Sequence, residues 1–417
     1  AFNRAVVKPV RGIRPSASCV KDVASRPYDV LNSDEARMEA GDNDLSFLHV
    51  VKPEIDLPKE TNPYSNEVYG KGKENFKSLL SDGILSKDEN PSYYIYRLTM
   101  EGRSQTGLVG CCFFEEYFQG TIKKHELTRT AKENDRVNHV ECLNANAEPV
   151  FFSYRGKSSI NDFVANKTSQ LPVYDFIADD DVQHELWILS DSEDIDFVET
   201  AFQDVPFLYV ADGHHRTAAA ARIGQKRKEG NISHNGKEEY NYFLAVLFPD
   251  KELKIFDYNR VVRDLNGLSP EQFLAGLESS FTVSKLTGQN PKPNRIREFS
   301  VYLNGDWYQL IAKDGSWNEN DPVGDLDVTI LSEKVLSPLL NIVDLRKDDR
   351  IDFVGGIRGL AELERRVDSG EMAAAFALYP VSMDQLLTIA DANEIMPPKT
   401  TWFEPKLRSG LFIHDLE

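Results

Sequence analysis

The chain lacks any long apolar run: nowhere in its 417 residues is there a hydrophobic stretch near the roughly 18 that a membrane-crossing helix needs. No transmembrane segment is therefore expected. The opening Ala1-Phe-Asn-Arg-Ala-Val-Val-Lys-Pro-Val10 also lacks the continuous apolar segment of a signal peptide, so the cytoplasm is the default expectation. Cysteine is scarce. Cys19, Cys111, Cys112 and Cys142 show neither a disulfide framework nor paired C-x-x-C spacing, which leaves them as reduced core residues. Familiar nucleotide signatures are missing as well. Without G-x-x-x-x-G-K-[ST], H-R-D or D-F-G, any kinase chemistry must use neither a P-loop nor a protein-kinase scaffold. Finally, 48 Lys and Arg face 67 Asp and Glu, a net charge of −19. That balance, with no recognition helix of clustered Arg and Lys in view, argues against nucleic-acid and anionic-membrane partners.

What is present is a globular composition, 41% hydrophobic and 28% charged, long enough for two or three domains. The segment Phe207-Leu-Tyr-Val-Ala-Asp-Gly-His-His-Arg216, followed by Thr217-Ala-Ala-Ala-Ala-Arg222, reads as strand, tight turn and helix start. Asp212 is a good N-cap residue, Gly213 allows close backbone approach, and the free N–H groups of a first helical turn suit an anion. His214, His215 and Arg216 place cations at the positive end of a helix dipole, a local conflict that a bound phosphate would resolve. The plainer alternative is an ordinary cap with two solvated or core histidines.

Further along the chain, Tyr93–Leu98, 107–114, 149–155, 185–189 and 242–248 have strand composition, as does Ser46–Val51, and Lys254–Val262 is expected to neighbour 242–248. Val68–Leu80 reads as an amphipathic helix stopped at Asp82-Gly83, and Ser33 or Asp34 caps a helix through Met38. The segment 156–204 reads as an insertion or lobe edge, and Asn304-Gly305 as a hairpin turn. Tyr28 and Asp29 sit in a turn that could reach a site, although a self-contained turn is the simpler reading. The charged run Thr121–Arg136 fits a solvated, salt-bridged helix. Within it His125-Glu126-x-x-Arg129 lacks the second histidine of H-E-x-x-H, which disfavours a zincin-type metal site. A glutamate among cations has another use, as an ionised base beside a phosphate surface.

Three of these stretches together resemble a known arrangement. His125–Arg129, Val210-Ala-Asp-Gly-His-His-Arg216 and Pro398-Lys-Thr-Thr401 occur in this order in free serine kinases of the ParB/sulfiredoxin-like superfamily, the first type described using ADP as donor. The whole chain also resembles a widespread family of uncharacterised conserved proteins often labelled ParB-like. The resemblance implies an α/β (α+β) fold with a mixed-sheet core at 121–265, interrupted at 156–204, between an N-terminal extension at 1–120 and a C-terminal α/β lobe at 266–417.

It further implies a phosphotransferase acting on serine or a related hydroxylated metabolite, with ADP or ATP and Mg²⁺. Glu126 corresponds to the catalytic base and Asp212 to an essential aspartate. Gly213, His214, His215 and Arg216, with His125 and Arg129, correspond to phosphate or nucleotide contacts, and Lys399, Thr400 and Thr401 to substrate contacts. Those kinases continue Thr-Thr-Arg-His, whereas Trp402 and Phe403 follow here, which points to a different acceptor. A regulatory nucleotide-binding module is the second reading. A metal-dependent hydrolase using His125, His214, His215 and Asp212 is the third, although neighbouring histidines on a helix diverge by about 100° and chelate one ion poorly, so no metal site is expected.

Overall fold

The computed structural model describes residues 5–417; residues 1–4, the start of the stretch read for a leader, lie outside them. The fold is mixed α/β, with thirteen α-helices among the described residues. It divides into two compact units, one running up to Leu253 and rejoined by Pro405–Glu417, the other Lys254–Glu404. No described helix is long and apolar enough to cross a membrane.

The first unit is built on a nine-stranded mixed sheet in the order Ile122–Lys123, Leu208–Asp212, Val150–Tyr154, Tyr242–Pro249, Arg103–Phe113, Tyr93–Met100, Gln183–Leu189 and Tyr174–Ile177. Val7–Lys8 pairs alongside Arg103–Phe113. Two ladders are parallel, Leu208–Asp212 with Ile122–Lys123 and Tyr242–Pro249 with Val150–Tyr154; the others are antiparallel. The inner strands are buried along nearly their whole length, as their continuous apolar runs require. The segment 156–204, read as an insertion or lobe edge, supplies the two strands that complete one edge of this sheet.

Against the sheet lies the helix His214–Glu229, with Thr217–Ala221 entirely buried. Small side chains let its backbone approach closely. At Gly224 a Cβ would stand 2.5 Å from Cγ of Phe114, so only glycine fits there. On its other side the helix Thr130–Leu143 packs through Val137, Ala219, Ile223 and Leu416. Burying one such aliphatic side chain stabilises by about 1.5–3 kcal/mol, so this small cluster fixes how the two helices meet.

Local sequence signals failed where packing overrode them. Ser46–Val51, expected as a strand, instead contains the short helix Leu48–Val51. Phe47, Leu48, Val50 and Val51 are all buried in a cluster with Phe76 and Leu79 of the helix Asn66–Ser81, so tertiary burial outweighs the β-branched propensity. The cap before Met38 is Asn32, closed by Glu35 in a reciprocal capping box, rather than Ser33 or Asp34.

The second unit holds a six-stranded sheet, antiparallel throughout, in the order Phe281–Lys285, Asp306–Ala312, Glu298–Leu303, Ala374–Leu378, Tyr258–Val262 and Ile351–Gly355. The run Lys254–Val262 therefore does not neighbour 242–248. Tyr258–Val262 sits inside this other sheet, because its partners Ile351–Gly355 and Ala374–Leu378 come from later sequence. The hairpin at Asn304-Gly305 forms as expected, with φ of +51° and +84°. Leu363 of the helix Leu360–Asp368 joins Val261, Tyr302, Val354 and Ala375 in the core.

Candidate functional site

The site is built where the strand Leu208–Asp212 feeds the helix His214–Glu229. Between Val210 and Asp212 the register with Val150–Tyr154 slips by one residue. Leu208 and Val210 point into the apolar core. Strict alternation would send Asp212 after them, so the bulge re-aims it, and its side chain is 36% exposed. Gly213 follows in the left-handed region, φ +83°, and is itself the helix N-cap. Asp212 is thus not the cap expected from sequence. Its Oδ1 accepts from the N–H of Gly213 at 2.9 Å, and its Oδ2 meets Nζ of Lys406 at 3.0 Å. Burial pushes this carboxyl up, yet Lys406, Arg216 and the Gly213 N–H together hold it well below the usual carboxylate range.

The box His125–Arg129 lies not on a solvated helix but in the turn between the strand Ile122–Lys123 and the helix Thr130–Leu143. The parallel pairing of Ile122–Lys123 with Leu208–Asp212 brings that turn to the head of the His214 helix. The N–H of His125 donates to Nε2 of His214 at 3.4 Å, and the N–H of Arg129 to Nε2 of His215 at 3.1 Å. Each ring accepts at Nε2, so its proton belongs at Nδ1. On His214 that nitrogen is 3.6 Å from Oε2 of Glu126, a half-exposed carboxylate. The rings of His125 and His214 meet edge to face with centroids 4.4 Å apart.

Burial, followed by the neighbouring His125, holds His214 well below its usual value. Burial likewise takes His125 down to about 4. Neutral imidazoles remove most of the conflict between these residues and the helix dipole. Both ring nitrogens of His125 are buried and, among the described residues, lack a hydrogen-bond partner.

Arg216 curls back beneath the turn. A Cβ on Gly213 would only rest in ordinary contact with its guanidinium at 3.5–3.6 Å, so glycine is required here by φ and not by space. Nη1 of Arg216 donates to the carbonyl of Pro149 at 2.8 Å, and Nη2 approaches Oδ2 of Asp29 at 3.6 Å. Its buried Nε has no partner among the described residues. The Tyr28-Asp29 turn therefore reaches the site rather than being self-contained. The buried Glu148 anchors that turn, accepting from the Tyr28 N–H at 3.2 Å and the Ser409 hydroxyl at 2.6 Å. Arg136 lies 3.7 Å from the Tyr28 ring centroid, a contact that stiffens the turn.

Glu126, His125, Arg129, Asp212, Gly213, His214, His215 and Arg216 thus converge. Sequence reasoning missed the Asp212 partner Lys406 and the support from Glu148, since an ion pair across 194 residues and a backbone hydrogen bond across 120 leave no local pattern. Lys399, Thr400 and Thr401 belong to the second unit. There Lys399 takes a left-handed φ of +60°, its carbonyl accepts from the buried Arg260 at 2.8 Å, and the buried Thr400 hydroxyl donates to the carbonyl of Pro397 at 2.6 Å. Among the described residues no group of three or more His, Cys, Asp or Glu is arranged to hold a metal.

Its helices and its nine-stranded mixed sheet make the chain a mixed α/β protein. A family model described as "Protein of unknown function (DUF1015)" matches residues 7–329, and the chain belongs to that family. No curated protein matches it significantly. Among solved structures it is similar to a mutant free serine kinase in complex with AMP, with 11% identity over 71% of this chain and 89% of that one and a TM-score of 0.36. It is also similar to a conserved hypothetical protein from Pyrococcus furiosus, with 13% identity over 70% and 92% and a TM-score of 0.33. A C-terminally truncated SbnI from Staphylococcus aureus gives 10% identity over 73% and 87%, with a TM-score of 0.36. Likenesses this weak assign no activity to these residues.

Proposed function

We propose that the protein transfers a phosphoryl group from a nucleotide to a hydroxyl of serine or a related small metabolite. One observation carries the reading: Glu126 stands beside neutral His214 at the N-terminus of a helix whose first turn also holds Arg216 with an unpartnered buried Nε. Phosphoryl transfer asks for positive charge and N–H donors around the equatorial oxygens and for one carboxylate near the attacking hydroxyl. The helix N–H groups and Arg216 answer the first need, with Arg129 at the rim. Glu126 answers the second, taking the hydroxyl proton as the oxygen approaches phosphorus, while the Nδ1–H of His214 orients its carboxylate.

Asp212, kept ionised by Lys406, is the carboxylate available to a divalent cation travelling with the nucleotide; such a cation would take its remaining ligands from phosphate oxygens and water. Lys399, Thr400 and Thr401 are carried in the proposal as acceptor-binding groups on the strength of the sequence resemblance alone. The test is to incubate the protein with serine, ADP or ATP and Mg²⁺ and to measure phosphoserine. Turnover lost in Glu126→Ala supports the enzyme. Tight nucleotide binding with no turnover over a panel of hydroxylated metabolites would sink it in favour of a regulatory nucleotide-binding module.

A further inference from the structure

Consecutive residues at a helix start face directions about 100° apart, and here the two directions lead to different surroundings. His214 meets Glu126. His215 instead lines a cavity of about 370 Å³ formed with the region before residue 70 and the helix Thr130–Leu143. Its size lies within the roughly 300–1,000 Å³ range of small-molecule and cofactor sites. Asp29, which approaches Arg216 at 3.6 Å, also lines it, so the cavity and the phosphate-binding turn share a wall.

We propose that this cavity takes the nucleoside end of the phosphoryl donor, with the phosphate chain running past His215 to the head of the helix. The assignment rests on the phosphoryl-transfer reading above and extends it. If Glu126 marks the acceptor's side of the transferred group, the donor must depart on the other side, because attacking and leaving oxygens are in line. Glu126 does not line the cavity; His215 and Asp29 do.

The lining suits a ribose and a base. Carboxylates recognise ribose hydroxyls, and of the three that line the cavity Asp135 is already engaged by Tyr69 and Arg136, which leaves two. Asp29 sits at the wall with its side chain 39% exposed, and Glu54 is buried, accepting from the Ser33 hydroxyl at 3.1 Å. Tyr64 stands at the lip with 60% of its surface exposed. Its open ring offers a face on which a base can stack. Lys132, exposed on the same rim and without an ion pair among the described residues, is placed to meet a phosphate of the chain.

The experiment is calorimetric titration of the full chain with ADP and, separately, with inorganic tripolyphosphate, which has phosphates but no nucleoside. Tyr64→Ala should weaken ADP binding about tenfold, as loss of base stacking does, and Tyr64→Phe should restore it. Tripolyphosphate affinity should be the same in all three proteins. Unchanged ADP affinity in Tyr64→Ala, with tripolyphosphate still bound, overturns the nucleoside assignment and leaves the phosphate site standing. So does a raised KM for the acceptor with ADP binding intact, since the cavity would then hold the acceptor. If wild type binds neither ADP nor tripolyphosphate, both readings fall.

Discussion

The two units solve the same folding problem with opposite sheets. The six-stranded sheet is antiparallel throughout, whereas the nine-stranded sheet contains two parallel ladders. A parallel strand must leave through a crossover, commonly into a helix whose N-terminus then lies at the strand's carboxyl end. The crossover here begins at Ile122–Lys123, whose exit helix Thr130–Leu143 starts beside the carboxyl end of its parallel neighbour Leu208–Asp212, where the His214 helix also begins. Histidine usage divides the same way: all eight, His49, His125, His139, His184, His214, His215, His234 and His414, lie in the first unit. Three of these histidines, His125, His214 and His215, meet where the strand Leu208–Asp212 opens a helix, and the second unit has none.

The largest expected effect is therefore a difference in acid response. Burial holds His125 and His139 down to about 4 and His184 down to about 3, with His214 well below its usual value. A histidine whose folded value is depressed binds its proton more readily unfolded. Stability is thus intact above about pH 6.5 and falls as pH drops toward 4, by about 1.4 kcal/mol per pH unit for each such group. Glu116, raised to about 7 by burial, opposes one of them. In the second unit burial raises Asp327 to about 6, so that unit gains stability as pH falls from 6 to 4. Hydrogen exchange at pH 7 and pH 4.5 should show protection lost in residues 93–250 and kept in 258–378. Equal loss in both would break the comparison.

Next in size is Glu126→Ala, for which kcat should fall by about 10²–10⁴ while nucleotide affinity stays near wild type, read by phosphoserine formation and calorimetry. Gly224→Val follows. Its branched side chain collides with Phe114, so urea unfolding should show a loss of about 1–3 kcal/mol, the usual range for overpacking. A value near zero would mean that the His214 helix can ride up on the sheet.

The smallest effect is that of Lys406→Met, which should destabilise by less than about 1 kcal/mol because the pair is partly solvated. Since Lys406 depresses the folded value of Asp212, its contribution is present above about pH 4 and lost below it. Variant and wild type should therefore converge in acid, as denaturant midpoints measured between pH 3 and pH 7 would show.

Much of this was legible in the chain itself. Continuous apolar runs marked the inner strands, Asp82-Gly83 ended a helix, and Asn304-Gly305 turned a hairpin, because each signal is local and sterically enforced. The two boxes around Glu126 and Gly213 could be picked out as a candidate site from residue type alone, and the structure brings them together. The errors share a cause. Leu48–Val51 became a helix because Phe76 and Leu79 cover it, and Asp212 lost the capping role because a bulge opposite Phe151 and Phe152 turned it outward. Neither neighbour is visible from within the segment.

The sequence by itself determined the strand-glycine-helix turn, since short-range sterics suffice for it, and its ordered motifs carried the resemblance that pointed to the family. Only the tertiary structure decided that the turn at His125 docks on the His214 helix, that Lys406 closes on Asp212 from 194 residues away, and that His214 and His215 face different surroundings. Those outcomes depend on parallel strand pairing and helix packing, long-range terms that no window of sequence contains.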